Sequence, residues 1–265
     1  MLSSSEFETA CQFRLGKSFP FVSADLRCDC KTKALVGSHC EHIHCCQRDN
    51  VLKSKHNTIT SVLVAMCSKA GIKTVQEPTN CFPEHIDGIK PDMRLYQPQF
   101  QRNKKRKTSV NCTDCKHDVI TDVTVTHPAN KSAIDAHKSH RVPGASALDK
   151  EKNKCRKYNA AAKNHKLHFV PLVLESYGRL GGRFVRFLKD VVHTSWHNGD
   201  QSIPLSVLQE YWNKRISVAL QQMNARMFLN RVSELHGGAS LRNDEARYDD
   251  TIRESIVRSA YGRRG

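Results

Sequence analysis

The sequence predicts an α/β domain in which a helix, three strands, a second helix and a fourth strand follow one another (αβββαβ), with a Cys/His knot before them and a helical extension after. Three observations carry this expectation. Apolar residues spaced by three and four mark a helix over 55–70, a second helix is read over 145–164 behind Pro143 and Gly144, and the two bracket three short segments of strand character. The run "LHFVPLVLES" (167–176) is apolar enough to be a strand buried on both faces. Finally, "CDCKTKALVGSHCEHIHCC" (28–46) packs five cysteines and three histidines into one short stretch.

Each element has its own local reason. "EFETACQFRLG" (6–16) carries Phe7, Cys11 and Leu15 at helical spacing and predicts a short amphipathic helix. Ile59, Val62, Leu63 and Met66 recur at three and four, and Gly71 supplies a C-terminal stop. "IKTVQEP" (72–78) reads as a strand, "CFPEHIDG" (81–88) as a loop, and "IKPDMRLYQP" (89–98) as a second strand entered through Pro91. A basic loop with a Cys-x-x-Cys pair (99–117) leads to a third strand at 118–126. A polar connector holding Pro143 and Gly144 precedes the helix from Ala145 to Asn164. After the fourth strand, Leu180, Phe184, Phe187, Leu188 and Val191 mark a helix, and Leu208 to Leu235 keeps helical periodicity behind the cap-like "SIP" at 202–204. The charged segment 239–265 is poor in apolar residues and is expected to be mobile or weakly helical.

A chain of 265 residues is long enough for one sizeable domain with appendages. Lysine and arginine number 42 against 26 acids, a net charge of +16, with a local peak at "NKKRK" (103–107). A polyanion is the natural partner, and nucleic acid is the commonest one. No apolar run reaches the ~20 residues that span a bilayer, and the N-terminus lacks the charged and apolar regions of a signal peptide, so no membrane partner and an intracellular location are expected. In a reducing compartment, cysteines crowded among histidines favour metal binding over disulfides. Zinc takes four such ligands tetrahedrally, and two close pairs separated by a loop supply them with little strain. Eight residues compete for the four places: Cys28, Cys30, His39, Cys40, His42, His44, Cys45 and Cys46.

Two acids stand out among the strands. If the second and third strands pair as a hairpin, Asp92 and Asp122 lie side by side, and paired carboxylates suit a hard cation such as Mg²⁺. Glu77, just after the first strand, is a candidate third ligand. On the helix over 145–164, residues four apart share a face, so Lys154 follows Tyr158, whereas Lys157 is turned about 100° away from Tyr158. If Tyr158 faces the sheet, Lys154 reaches the acids, where an ammonium group can orient a water or offset transition-state charge.

The element order, together with "KPD" (90–92) and "DVT" (122–124), resembles the PD-(D/E)XK nuclease superfamily, whose members cut nucleic acid with Mg²⁺ or Mn²⁺. Where that pattern has lysine two places after the second acid, this chain has Thr124; the resemblance then moves the lysine to the following helix, in "KNKCRKY", as Lys154 or Lys157. The chain is similar, more narrowly, to the restriction-like endonuclease domain of non-LTR retrotransposon proteins. Its order of motifs is Cys28, Cys30, His42 and Cys46, then "KHN" at 55–57, "KPD" at 90–92 and "DVT" at 122–124. "RLG" (14–16), "FVPLVLESYG" (169–178) and "SVALQQMNARMFLNR" (217–231) also look like segments of such proteins. The likeness spans residues 5 to about 190. It departs in the lysine of "KHN", in a longer basic insertion between the two acids, and in lacking a reverse-transcriptase domain before the knot, which implies a truncated or separately encoded copy.

The resemblance implies a restriction-endonuclease-like core at 51–192, an N-terminal zinc knuckle within 1–50, a helical extension at 193–236 and a charged tail at 237–265. It assigns structural Zn²⁺ to Cys28, Cys30, His42 and Cys46, and catalysis to Asp92, Asp122 and a helix lysine. Nucleic acid is expected to meet His56, Asn57 and the insertion residues Lys104, Lys105, Arg106 and Lys107, which could equally serve as a nuclear import signal. Cys112 and Cys115 make only half a zinc site. The implied activity is Mg²⁺-dependent nicking of DNA to expose a 3′ hydroxyl for reverse transcription in the nucleus, with element RNA and a reverse transcriptase as partners. The rival reading is a zinc-containing nucleic-acid-binding module whose nuclease core survives only as scaffold.

Overall fold

The computed structural model describes residues 2–19, 22–23, 25–37, 39–46, 48, 51–79, 81–82, 89–100, 117–199 and 201–235. The basic insertion with Lys104 to Lys107, the Cys112-x-x-Cys115 pair and the charged tail lie outside these residues. The fold is mixed α/β, with six helices and a four-stranded mixed sheet among the described residues. The chain divides into two compact units, Lys53–Leu220 and a smaller one formed by Met1–Leu52 with Gln221–Gly265.

In the larger unit, helix α2 (Val51–Lys69) precedes strands β1 (Thr74–Gln76), β2 (Met93–Leu95) and β3 (Val119–Thr126). Helices α3 (Lys131–His137) and α4 (Ala145–Asn164) lead to β4 (His168–Glu175), and α5 (Gly182–Asn198) follows. The sheet order is β1-β2-β3-β4; the first three strands are antiparallel and β3 runs parallel to β4. The predicted helix–three strands–helix–strand order is present, with β1 and β2 shorter than their apolar runs and α3 added. α3 forms where a polar connector was expected, because Asn130 caps its start by accepting from the Ala133 N–H at 2.7 Å and Lys138 ends it in the left-handed region.

The alternation of β3 divides its side chains between two cores. Val119 and Val123 join Val170, Leu172 and Leu174 of β4 against Ile59, Leu63 and Met66 of α2 and Phe184 and Phe187 of α5. Ile120 and Phe169 point the other way, onto Cys155, Tyr158 and Ala162 of α4. Helices thus cover both faces, which is why β4 is buried from Phe169 onward although it is an edge strand. The edge position also tolerates Pro171, which lacks an N–H for a ladder.

Two helix starts here are capped from elsewhere in the chain. α4 begins at Gly144 with no side-chain cap of its own, and its Ala147 N–H donates instead to Glu175 Oε1 at 3.3 Å. α5 begins at Gly181, likewise uncapped locally, and its Arg183 N–H donates to Glu151 Oε1 at 2.8 Å. Both acids are buried, and burial pushes the Glu175 carboxyl above its usual range.

The smaller unit contains α1 (Ser4–Arg14), the Cys/His knot and the last part of α6 (Leu205–Leu235). A capping box opens α1: Ser3 Oγ accepts from the Glu6 N–H at 3.2 Å, and the Ser3 N–H donates to Glu6 Oε2 at 2.8 Å. The expected apolar stripe of α1 is not the buried one. Phe7 and Leu15 are exposed, whereas Glu6, Thr9, Ala10 and Phe13 are buried. Glu6 pairs with Arg226 and accepts from Gln222 at 3.2 Å, and Phe13 stacks on His44, contacts that periodicity alone does not reveal.

Candidate functional site

Register brings the two acids together. Met93 pairs with Thr121 and Arg94 with Ile120, so continuing the ladder by one residue sets Asp92 opposite Asp122. At Asp92 the pairing departs from the regular ladder: the Asp92 N–H donates to Thr121 O, the partner of Met93, at 2.8 Å, and the Val123 N–H turns to the Asp92 side chain at 2.6 Å, while on the other side the Glu77 N–H donates to Asp92 O at 2.8 Å. An independent ion pair at the other end of β2 holds this register, with Arg94 Nε and Nη2 donating to Asp118 Oδ2 at 2.8 and 2.6 Å. Asp118, just before β3, is thus the acid paired with Arg94.

The partner of Asp122 is a lysine. Lys154 Nζ lies 2.9 Å from Oδ1 and 2.8 Å from Oδ2, donated from the α4 face that carries Tyr158. Tyr158 Oη is 2.7 Å from Asp122 Oδ1 and 2.9 Å from Lys90 O, and its ring stacks on Phe169 at 4.4 Å. Burial, followed by the Asp122 charge, pushes the Tyr158 phenol far above its usual range, so it stays a hydrogen-bond donor. Thr124, standing where the superfamily pattern has lysine, donates its hydroxyl to Asp122 Oδ2 at 3.0 Å. Lys157 sits on the exposed side of α4, its Nζ 5.6 Å from the Tyr158 ring centre.

Asp92 is held from two sides at one oxygen. Its Oδ2 accepts from the Val123 N–H at 2.6 Å and lies 2.9 Å from His56 Nε2. His56 Nδ1 is 3.0 Å from Asn57 Oδ1. The bond to Asp92 raises the imidazole's pKa, against the opposing effect of burial. Glu77 is exposed and touches Asp92 through its backbone. Nothing in composition marked His56 as a partner of Asp92, because the two are joined only when α2 packs beside the sheet.

The Cys/His knot converges on four of its eight candidates. A bridge between Arg27 and Leu35, with Cys28 N–H to Ala34 O at 2.9 Å, folds the first pair into a tight hairpin, and Lys33 takes a positive φ of 45° at its turn. Two successive turns then present His42 and Cys46, with Ile43 N–H to Cys40 O at 3.1 Å and Cys45 N–H to His42 O at 3.0 Å. The ligand atoms of Cys28, Cys30, His42 and Cys46 all lie within 4.8 Å of one another, and the group could bind a metal such as zinc. Cys28 Sγ to Cys46 Sγ is 3.7 Å and Cys30 Sγ to His42 Nε2 is 3.4 Å. Zn–S bonds of about 2.3 Å and Zn–N bonds of about 2.0 Å in a tetrahedron give edges of roughly 3.5–3.8 Å, so the donor set fits the ion. The other candidates are engaged differently: His44 stacks on Phe13 at 4.0 Å, His39 pairs with Glu41 at 3.6 Å, and burial pushes the Cys40 thiol up to about 12.

Among the described residues no helix is long and apolar enough to cross a membrane. Compared with known proteins, the chain matches no protein-family model, and no curated protein registers as its relative.

Proposed function

We propose that the chain is a metal-dependent DNA endonuclease with a restriction-endonuclease-like core, of the kind found in non-LTR retrotransposon proteins. The observation that carries this reading is the opposition of Asp92 and Asp122 across β2 and β3 with the Lys154 ammonium on Asp122. The donor set suits a hard cation, since Asp92 Oδ1 accepts no hydrogen bond among the described residues and carboxylate oxygens are the ligands such ions prefer. A Mg²⁺ ion bound there would supply an activated water and charge neutralisation on a phosphoryl group.

The chain's own residues do the rest. Asp92 and Asp122 would provide ligand oxygens, and Lys154 is a fixed cationic donor for a phosphate oxygen on which charge develops. Tyr158 and Thr124 hold the Asp122 carboxylate in one orientation. The net charge of +16 favours a polyanionic substrate. DNA, element RNA and a reverse transcriptase as partners, and the nucleus as location, belong to the same proposal.

Asp122 also favours a second reading, because both its oxygens already accept hydrogen bonds as they would in a purely structural ion pair. On that reading the chain is a zinc-containing nucleic-acid-binding module. Supercoiled plasmid incubated with Mg²⁺ separates the two. Nicking that disappears in Asp92→Ala and Asp122→Ala while DNA binding persists supports the nuclease; binding with no metal-dependent nicking by the wild type leaves the module.

A further inference from the structure

The two carboxylates of the site differ in how they are held. Asp122 is engaged at both oxygens, by Lys154 and Tyr158 at Oδ1 and by Thr124 and Lys154 at Oδ2. Asp92, among the described residues, is engaged at Oδ2 alone.

We infer that His56 is a positioning residue for Asp92: with the Val123 N–H it pins Oδ2, and so leaves Oδ1 as the oxygen available to a divalent cation. The inference rests on the metal site proposed above and assigns His56 to that site in place of a direct contact with nucleic acid. Three features support it. His56 lies one helical turn before Ile59 on α2, and both Ile59 and Leu63 are fully buried, so the ring is carried on a fixed element. Its side chain is 27% exposed and that of Asp92 17%, which leaves the ring mostly covered and poorly presented to a duplex. Asn57 occupies the opposite ring nitrogen at 3.0 Å. The 2.9 Å contact itself calls for a proton on Nε2, because a bare ring nitrogen there would set two acceptors against each other, so Nε2 is the donor to the carboxylate. Partners of this kind that orient metal-binding groups change metal affinity by about 10–100-fold when removed.

Binding of Mn²⁺ to the full-length chain, followed through the electron paramagnetic resonance signal of the free ion, tests this without DNA or catalysis. The portion of binding lost in Asp92→Ala defines the site. His56→Ala and His56→Asn should weaken that portion about ten-fold or more, because Asn reaches only the Nδ1 position. His56→Gln, whose amide N–H falls near the place of Nε2, should stay within about three-fold of wild type. Affinity for duplex DNA in the absence of divalent ions should be unchanged in all three, and thermal melting reports whether each variant is folded. The inference is overturned if His56→Ala binds Mn²⁺ as wild type does, if His56→Gln is as weak as His56→Ala, or if DNA affinity falls instead. Asp92-dependent Mn²⁺ binding without plasmid nicking would sink the nuclease reading alone, while the variant series still decides the role of His56. No Asp92-dependent Mn²⁺ binding in the wild type would sink both.

Discussion

Lys154 and Lys157 stand three residues apart on one helix, yet only Lys154 meets an acid of the site. The difference is angular: around the helix Lys154 stands about 40° from Tyr158 and Lys157 about 100° from it, and Tyr158 commits one side of α4 to the sheet. In a nuclease of the kind proposed, Lys154→Met should reduce nicking by at least 100-fold, by analogy with the loss of one charge-stabilising donor. Lys157→Met should leave the rate per bound DNA within about three-fold of wild type. A larger loss with Lys157→Met than with Lys154→Met, measured at saturating DNA, would reverse the assignment.

At the level of elements, the site depends on how α4 is fixed to β4 and α5. Glu151, three residues before Lys154, spans from α4 to the first turn of α5. The approach leaves no room at Gly181, where an added Cβ would come within 2.4 Å of Glu151 Oε1 and 3.0 Å of Val173 O. Gly181 has an ordinary φ of −65°, so the requirement for glycine is one of space. Gly181→Ala should therefore cost about 1–3 kcal/mol in urea unfolding, through overpacking and loss of the α5 cap. A variant as stable as wild type would mean that Glu151 moves aside freely. α2 ends with a similar long-range contact, as Asn198 Nδ2 of α5 donates to Ala70 O at 3.1 Å.

For the whole molecule, charge and metal content are the properties that bulk measurements reach. In the smaller unit, ion pairs such as Arg231 with Glu234 at 2.9 Å and with Asp29 at 3.4 Å join a buried guanidinium to half-exposed carboxylates and contribute little each. A structural zinc there would be worth on the order of 10 kcal/mol of folding free energy. One zinc per chain is expected by atomic absorption, falling close to none in Cys46→Ser. Chelation should unfold the segment 25–46 by amide exchange. Full zinc content in Cys46→Ser would exclude that residue as a ligand.

Much of this architecture was legible in the chain because local physics fixes it. The period of α2, the apolar run of β4, the two close Cys/His pairs, and the spacing of Lys154 from Tyr158 all depend on residues near one another in sequence. α1 shows the limit: its apolar spacing pointed to Phe7 and Leu15, but an arginine some 220 residues later draws Glu6 inward. The register that sets Asp92 opposite Asp122, the caps lent by Glu175 and Glu151, and the closure of His56 on Asp92 were decided only by the tertiary structure. Each joins groups at least 28 residues apart, and no local preference encodes a distance between side chains that meet only when helices and sheet pack.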